Sequence, residues 1–278
     1  MRLDYFMPSP WARGLLTIHA VVEDVEEQRV EILPAMLPNI HFRLAGSSSV
    51  AFSGGSSRPA PPVALIGPTA NAYALALGRG CRIAIAGLLP EGWAQVMGIS
   101  GRQCTELLVD GADIWGPLVA ARTIERLSAA PLDGRHIGLV EAFLNRPAVS
   151  FPDLQRAQIR VIDRWLEHSP SLSLDTLSAE LDVGARQLRR ITLDTYGLSP
   201  KTLAMKYRAL RMAALMSQGA PATDLPHVYA DQSHMIRDFR RFVGWTPAAF
   251  QREPHNVAAA TLSGRRRAGA ARPLVLLS

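Results

Sequence analysis

Ser173-Leu174-Asp175-Thr176-Leu177-Ser178-Ala179-Glu180-Leu181-Asp182-Val183-Gly184-Ala185-Arg186-Gln187-Leu188-Arg189-Arg190 is the stretch on which the reading of this chain turns. Leu174, Leu177 and Leu181 recur at steps of three and four, the period of a helix with one buried face. Asp175 is placed to cap that helix. Asp182-Val183-Gly184 forms a short turn, and helical spacing resumes from Ala185 to Tyr196. Leu188 and Ile191 face inward there, which leaves Arg186, Gln187, Arg189 and Arg190 outward. Two short helices across a tight turn, the second bearing Arg and Gln, outline a helix-turn-helix for the DNA major groove. Arg pairs bidentately with guanine and Gln with adenine, so the side chains suit that task. An ordinary helical hairpin with a solvated Arg face has the same outline.

The flanks favour the first reading. Pro152–Glu167 spaces Leu154, Ile159, Ile162, Trp165 and Leu166 as a helix with a core side. After Gly197, Ser199-Pro200 is a cap followed by proline at the first helical position. The helix it launches runs to about Ser217 and stops at Gly219 and Pro221. At about 1.5 Å per residue it spans roughly 28 Å. A second short helix and turn then precede Gln232–Phe242, with Met235, Phe239 and Phe242 inward. Gln232, Ser233, His234, Arg237 and Arg241 lie outward, and Arg240 adds a further cation for phosphate. Two reading heads on a stiff spacer reach successive major grooves, about 34 Å apart.

Residues 155–252 resemble the AraC/XylS family of bacterial transcription regulators. The resemblance is carried by Leu177-Ser178-Ala179-Glu180-Leu181, Arg186-Gln187-Leu188-Arg189-Arg190, Tyr196-Gly197-Leu198-Ser199-Pro200 and Arg208-Ala209-Leu210-Arg211. Most specific is the run from Tyr229-Ala230-Asp231-Gln232 through Phe239-Arg240-Arg241-Phe242-Val243-Gly244-Trp245-Thr246-Pro247. The family implies a seven-helix DNA-binding domain behind a sensing or dimerisation domain. By motif position, Arg186, Arg189 and Arg190 would read bases from the first head, and Gln232, Ser233, His234 and Arg237 from the second. Two positions depart from the family pattern. Thr192 stands where an aromatic is expected, and Pro226-His227-Val228 before Tyr229 is about two residues short and lacks a glycine. The supporting helix of the second unit is therefore expected to fray, leaving unequal heads. The resemblance implies double-stranded DNA as partner. It leaves room for RNA polymerase, a small-molecule effector and a second copy of the chain.

Composition agrees with this division. Apolar residues make up 48% of the 278, enough for a sizeable core. The net charge is +6, and the excess lies in the C-terminal part: residues 1–150 carry 12 basic and 13 acidic side chains, residues 151–253 carry 14 and 11, and residues 254–278 carry four Arg and no acid. Such a balance suits an anionic partner. Cys81 and Cys104 form no paired motif, so neither a disulfide framework nor a zinc ribbon is expected. No signal peptide and no run of about 20 apolar residues is present, and a soluble protein of the bacterial cytoplasm, associated with the nucleoid, is expected.

Ahead of residue 90 the chain reads as short strands. Gly14–Val22, Gln28–Leu33, Asn39–Leu44, Ser48–Phe52, Val63–Ile66, Ala72–Leu77 and Cys81–Ala86 are rich in β-formers, with Gly/Ser/Pro loops between them. The last alternates as a half-buried strand would. Helices follow at Glu91–Met97, Asp113–Ser128 and Gly134–Leu144. The stripe Ile114, Leu118, Ala121, Ile124 and Leu127 suits seating on the strand layer or pairing with its copy. Segments such as Gly87–Trp93 and Leu107–Gly116 look like a sensor segment found ahead of some AraC-type domains.

The expected fold is thus α+β: a β-sandwich or barrel-like sensor with helices over 1–148, an all-α double helix-turn-helix domain over 152–253, and a flexible basic tail over 254–278. His19, Glu31 and His41 lie on strands but form no His-x-His pair, so neither metal nor other cofactor is expected. No nucleophile turn or dinucleotide loop points to an enzyme. Trp11, Tyr73, Trp93 and Trp115 are candidates to line an apolar ligand pocket, with core packing the blander role for each. Two function classes follow: a sequence-specific regulator, activators included, or an architectural DNA binder that reads few bases.

Overall fold

Strands come first because β-branched runs alternate with Gly/Pro/Ser loops that no helix tolerates. The structure, a computed structural model, describes residues 1–145, 152–220, 231–253 and 257–277. The strands are β1 (Arg2–Phe6), β2 (Leu16–Glu23), β3 (Arg29–Leu33), β4 (Asn39–Ala45), β5 (Ser48–Ala51), β6 (Arg58–Pro59), β7 (Val63–Ile66), β8 (Tyr73–Leu77), β9 (Arg82–Leu88) and β10 (Leu108–Asp110). They form two antiparallel sheets, in the orders β1-β2-β9-β4-β7-β10 and β3-β8-β5-β6. Register is set by pairs such as Tyr5 opposite Ala20 and Ile40 opposite Ala86. Val22, Val50, Ile66, Leu75, Leu77 and Ile83 pack into one core.

Helices α1 (Pro90–Met97), α2 (Gly101–Cys104), α3 (Gly111–Trp115), α4 (Pro117–Ser128) and α5 (Ile137–Leu144) complete the N-terminal part. Trp93, Leu127, Val140 and Phe143 form a second core with Val21, Phe42, Leu65, Ala84 and Ala86. This cover corrects the expectation of a half-buried strand at β9. Ile83, Ala84 and Ala86 are all fully buried, because β9 is central and helices and sheet enclose both faces. The expected helix over 113–128 is two helices, broken at Gly116-Pro117. Its stripe also rotates: Ala120 and Leu127 are buried, whereas Leu118 is exposed.

The C-terminal part holds α6 (Asp153–His168), α7 (Leu174–Leu181), α8 (Ala185–Tyr196), α9 (Pro200–Met216), α10 (Gln232–Val243), α11 (Pro247–Arg252), α12 (Val257–Arg267) and α13 (Pro273–Leu277). Trp165, Leu177, Leu188, Tyr207, Phe239 and Phe242 share a core that also takes in Ala35, Leu37 and Leu89 of the N-terminal part. The expected domain break at 148–152 falls mostly on residues outside those described.

The flexible basic tail is the largest correction. Residues 257–267 and 273–277 are helical, and Val257, Ala258, Leu262, Arg265, Leu274 and Val275 are buried. The tail packs back on the N-terminal part: Tyr5 Oη donates to Thr261 Oγ1 at 2.9 Å, and Ile18 joins Ala270 and Val275 in a small core. Arginine content suggested solvent, but the apolar face of these helices outweighs it. No described helix is long and apolar enough to cross a membrane.

Candidate nucleic-acid interface

The first head is α7, the turn 182–184 and α8. Ser173, not Asp175, caps α7, its Oγ accepting from the Thr176 amide at 3.4 Å. The Ser178 hydroxyl donates to the Val183 carbonyl and closes the turn. Leu188, Ile191, Thr192, Thr195 and Tyr196 of α8 are buried. Thr192, lacking the aromatic's bulk, donates instead to the Arg189 carbonyl at 3.2 Å. Arg186, Gln187, Arg189 and Arg190 are all exposed and line one groove. Arg102, at the N-terminal part's α2, lines the same groove, 3.3 Å from Asp194. Sequence reading missed Arg102, since nothing local links residue 102 to residue 190.

Tyr196 anchors this head from beneath, its hydroxyl donating to Asp163 Oδ1 at 2.6 Å. Burial pushes the Asp163 carboxyl up to about 7, against the Tyr196 bond, which lowers it. A carboxyl raised in the fold confers stability that is fully present below about pH 4 and is lost as pH rises through about 7. Tyr196→Phe removes the bond that favours the carboxylate. Its expected cost is about 1–3 kcal/mol, larger at pH 8 than at pH 5. Urea denaturation at both pH values checks this, and an equal loss at both would exclude a role for the Asp163 charge.

The second recognition helix, α10, begins at Asp231, whose carboxylate accepts from the Ser233 amide at 2.8 Å and lies 3.1 Å from His234 Nδ1. Gln232, Ser233, His234, Arg237 and Arg240 are exposed, while Phe239 and Phe242 are fully buried, Phe239 edge-on to Phe250. Arg237, Arg240 and Arg241 border a groove shared with Ile32 and Phe52. Arg241 Nε donates to Asn71 Oδ1 at 3.0 Å, so this side chain is turned to the N-terminal part. The expected fraying of the supporting helix around Pro226 lies outside the described residues.

Both recognition helices end against loops of the N-terminal part. The carbonyls of Arg241 and Phe242 accept from the amides of Ala72 and Ala35, each at 2.7 Å. These are carbonyls that a helix end leaves without an internal partner. Gly244, at φ +88°, caps α10 where a Cβ would lie 2.3 Å from Ile32. Gly197, at φ +72°, caps α8, and its carbonyl accepts from Thr105 Oγ1 at 2.9 Å. Between the heads, Lys206 of α9 is 1% exposed and donates to the carbonyls of Met36 (2.8 Å) and Thr69 (3.2 Å). Burial lowers its ammonium to about 7, with Glu106 opposing. None of these contacts was read from the sequence, because each joins residues far apart in it.

The four aromatic ligand candidates do not converge. Trp11 is 52% exposed. Trp93 is buried, with Nε1 donating to the Ile99 carbonyl at 3.0 Å, and Trp115 packs on Phe143 at 4.7 Å between rings. Tyr73 alone of the four borders the cavity between the sheets. His19 pairs with Glu141 at 3.2 Å, away from the cavity that Glu31 and His41 border. Among the described residues no three His, Cys, Asp or Glu side chains are grouped to hold a metal ion.

Residues 177–253 match the family model of a helix-turn-helix domain. No curated protein matches the chain. Among solved structures, ToxT from Vibrio cholerae is similar at 10% identity and TM-score 0.48, over 84% of this chain and 97% of that one. ToxT from Vibrio cholerae O395 bound to (E)-4-(8-methylnaphthalen-1-yl)but-3-enoic acid is similar at 10% identity and TM-score 0.45, over 90% and 97%. The AraC-like transcriptional activator CuxR is similar at 15% identity and TM-score 0.31, over 77% and 87%.

Proposed function

We propose, from the helix-turn-helix family model that residues 177–253 match and the AraC-type motifs they carry, that this chain is a sequence-specific DNA-binding transcription regulator whose N-terminal part governs how its two heads are held. The exposed set Arg186, Gln187, Arg189 and Arg190 on α8 carries the reading. Four long donors on one helix face match the edges of bases in a major groove. The loops at Ala35, Ala72 and Thr105 tie the ends of both recognition helices to the β-domain, so a change there alters the spacing of the heads. A small-molecule effector acting on that domain, RNA polymerase and a second copy of the chain are further proposed partners. The domain limits of 1–148 and 152–253 belong to the same proposal.

The test is binding to DNA flanking the gene, with random DNA as competitor. A regulator retains a preference of at least about 10³ for its site. Equal affinity for random DNA would leave an architectural binder. Within the site, Arg190→Ala is expected to cost about 1–3 kcal/mol and to relax preference at one base pair. A loss equal on specific and random DNA would make Arg190 a phosphate contact instead.

A further inference from the structure

Between the two sheets lies a narrow cavity that leaves about 60 Å³ for the centres of water-sized molecules. Its walls are mostly aliphatic, with Ile18, Leu33, Leu75, Leu77 and Ile85 among them. One wall comes from the tail: Val257, Thr261 and Arg265 recur every fourth residue on α12 and face the cavity together. Three buried polar atoms on its lining, Thr17 Oγ1, Asn39 Oδ1 and His41 Nδ1, make no hydrogen bond to the described residues. Thr17, Asn39 and His41 are each no more than 3% exposed. Native interiors rarely leave such atoms unmet, and three on one cavity point to something that supplies their partners.

The lining selects the chemistry. An apolar body matches the walls, and a donor matches the amide oxygen of Asn39, which only accepts. A carboxylate offers that oxygen no proton. The titratable groups facing the cavity are Tyr5, Glu31, His41, Tyr73 and Arg265. Burial lowers His41 to about 4, so its ring is neutral at pH 7. Arg265 is engaged in holding the tail, its Nη1 donating to the Val275 carbonyl at 3.1 Å.

We propose that this cavity is a binding site for a neutral, mainly apolar small molecule carrying a hydroxyl group, and that the tail helix α12 is one of its walls. Met36, Leu37 and Asn39 line it on the segment whose Ala35 amide and Met36 carbonyl hold α10 and Lys206. Tyr73 lines it next to Ala72, which holds the Arg241 carbonyl. Occupancy therefore bears on the contacts that position the heads. Only this last step rests on the reading of the chain as a DNA-binding regulator.

The test uses the full chain and the neutral fluorescent probe N-phenyl-1-naphthylamine, displaced by 1-decanol or by decanoate. Saturable probe binding is expected, with decanol displacing it at a concentration at least about tenfold below decanoate. Thr261→Trp, which fills the cavity from the tail, is expected to weaken the probe by about tenfold or more. Asn39→Leu is expected to abolish the preference for decanol over decanoate in displacing the probe. No saturable binding to the folded chain overturns the proposal, as does decanoate competing as well as decanol. Undiminished binding by folded Thr261→Trp removes the tail from the site; should that variant not fold, Asn39→Leu decides, and a retained decanol preference counts against the proposal. DNA affinity is measured separately with and without decanol. Probe binding without any DNA binding would sink the regulator reading and leave the site standing.

Discussion

Gly197→Val is expected to destabilise the chain by about 2–5 kcal/mol. Gly197 caps the first recognition helix at φ +72°, where a side chain costs about 1–2 kcal/mol. Its Cβ would also lie 2.4 Å from Thr105 Oγ1, 2.5 Å from Pro68 Cγ and 3.0 Å from the Gly101 carbonyl oxygen. Those atoms belong to the N-terminal part, so relief comes only by moving it off the head, and overpacking of this kind costs about 1–3 kcal/mol more. Urea denaturation gives the stability, and amide exchange at residues 101–106 reports the local opening. Gly138→Ala is the control, with no atom within 4 Å of its new Cβ and an expected effect of about 1 kcal/mol or less. A Gly197→Val cost no larger than that would show that the contact at Gly197 does not hold the parts together.

Lys206→Met is expected to reverse sign with pH. The lysine is buried and its ammonium is lowered from 10.5 to about 7. A cation lowered in the fold confers stability that is present above the unfolded value of 10.5 and is lost as pH falls toward 7. The swing over that window is on the order of 5 kcal/mol. Above it, the neutral amine still donates to the Met36 and Thr69 carbonyls, and methionine leaves both without that donor. Below it, wild type holds a desolvated charge that methionine does not. The variant is therefore expected to be the less stable protein at pH 10 and the more stable at pH 6.5. Comparing the two proteins at each pH cancels the titration of every other group. A difference independent of pH would mean that Lys206 keeps its ordinary proton affinity in the fold.

Local periodicity made the heads legible. Leu174, Leu177 and Leu181 repeat at helical steps, as Leu188 and Ile191 do after the turn, and the helices stand where those steps place them. Most strands were legible for the same reason, whereas β10 has three residues and pairs with β7 more than forty positions earlier. Asp175 was a sound cap by type, but Ser173 begins the helix two residues sooner. The aromatic candidates failed to converge because residue type does not say which face of an element a ring occupies. Trp93 and Trp115 pack with the helices covering one sheet, and Tyr73 faces the other side. The tail was misread by composition alone. Arg265-Arg266-Arg267 suggests solvent, yet Arg265 is 4% exposed. Least legible were the loops that cap the heads, since Ala35 meets Phe242 and Asn71 meets Arg241 only after both parts have folded.

The hydrogen bond between Tyr5 and Thr261 spans 256 positions of the chain. At translation rates of about 5–20 residues per second, β1 leaves the ribosome roughly 10–50 s before its helical partner exists. Sheets assemble in far less time than that. Until α12 is made, the nascent β-domain lacks one wall of its cavity. The order of synthesis thereby makes this wall the last of the cavity's walls to form.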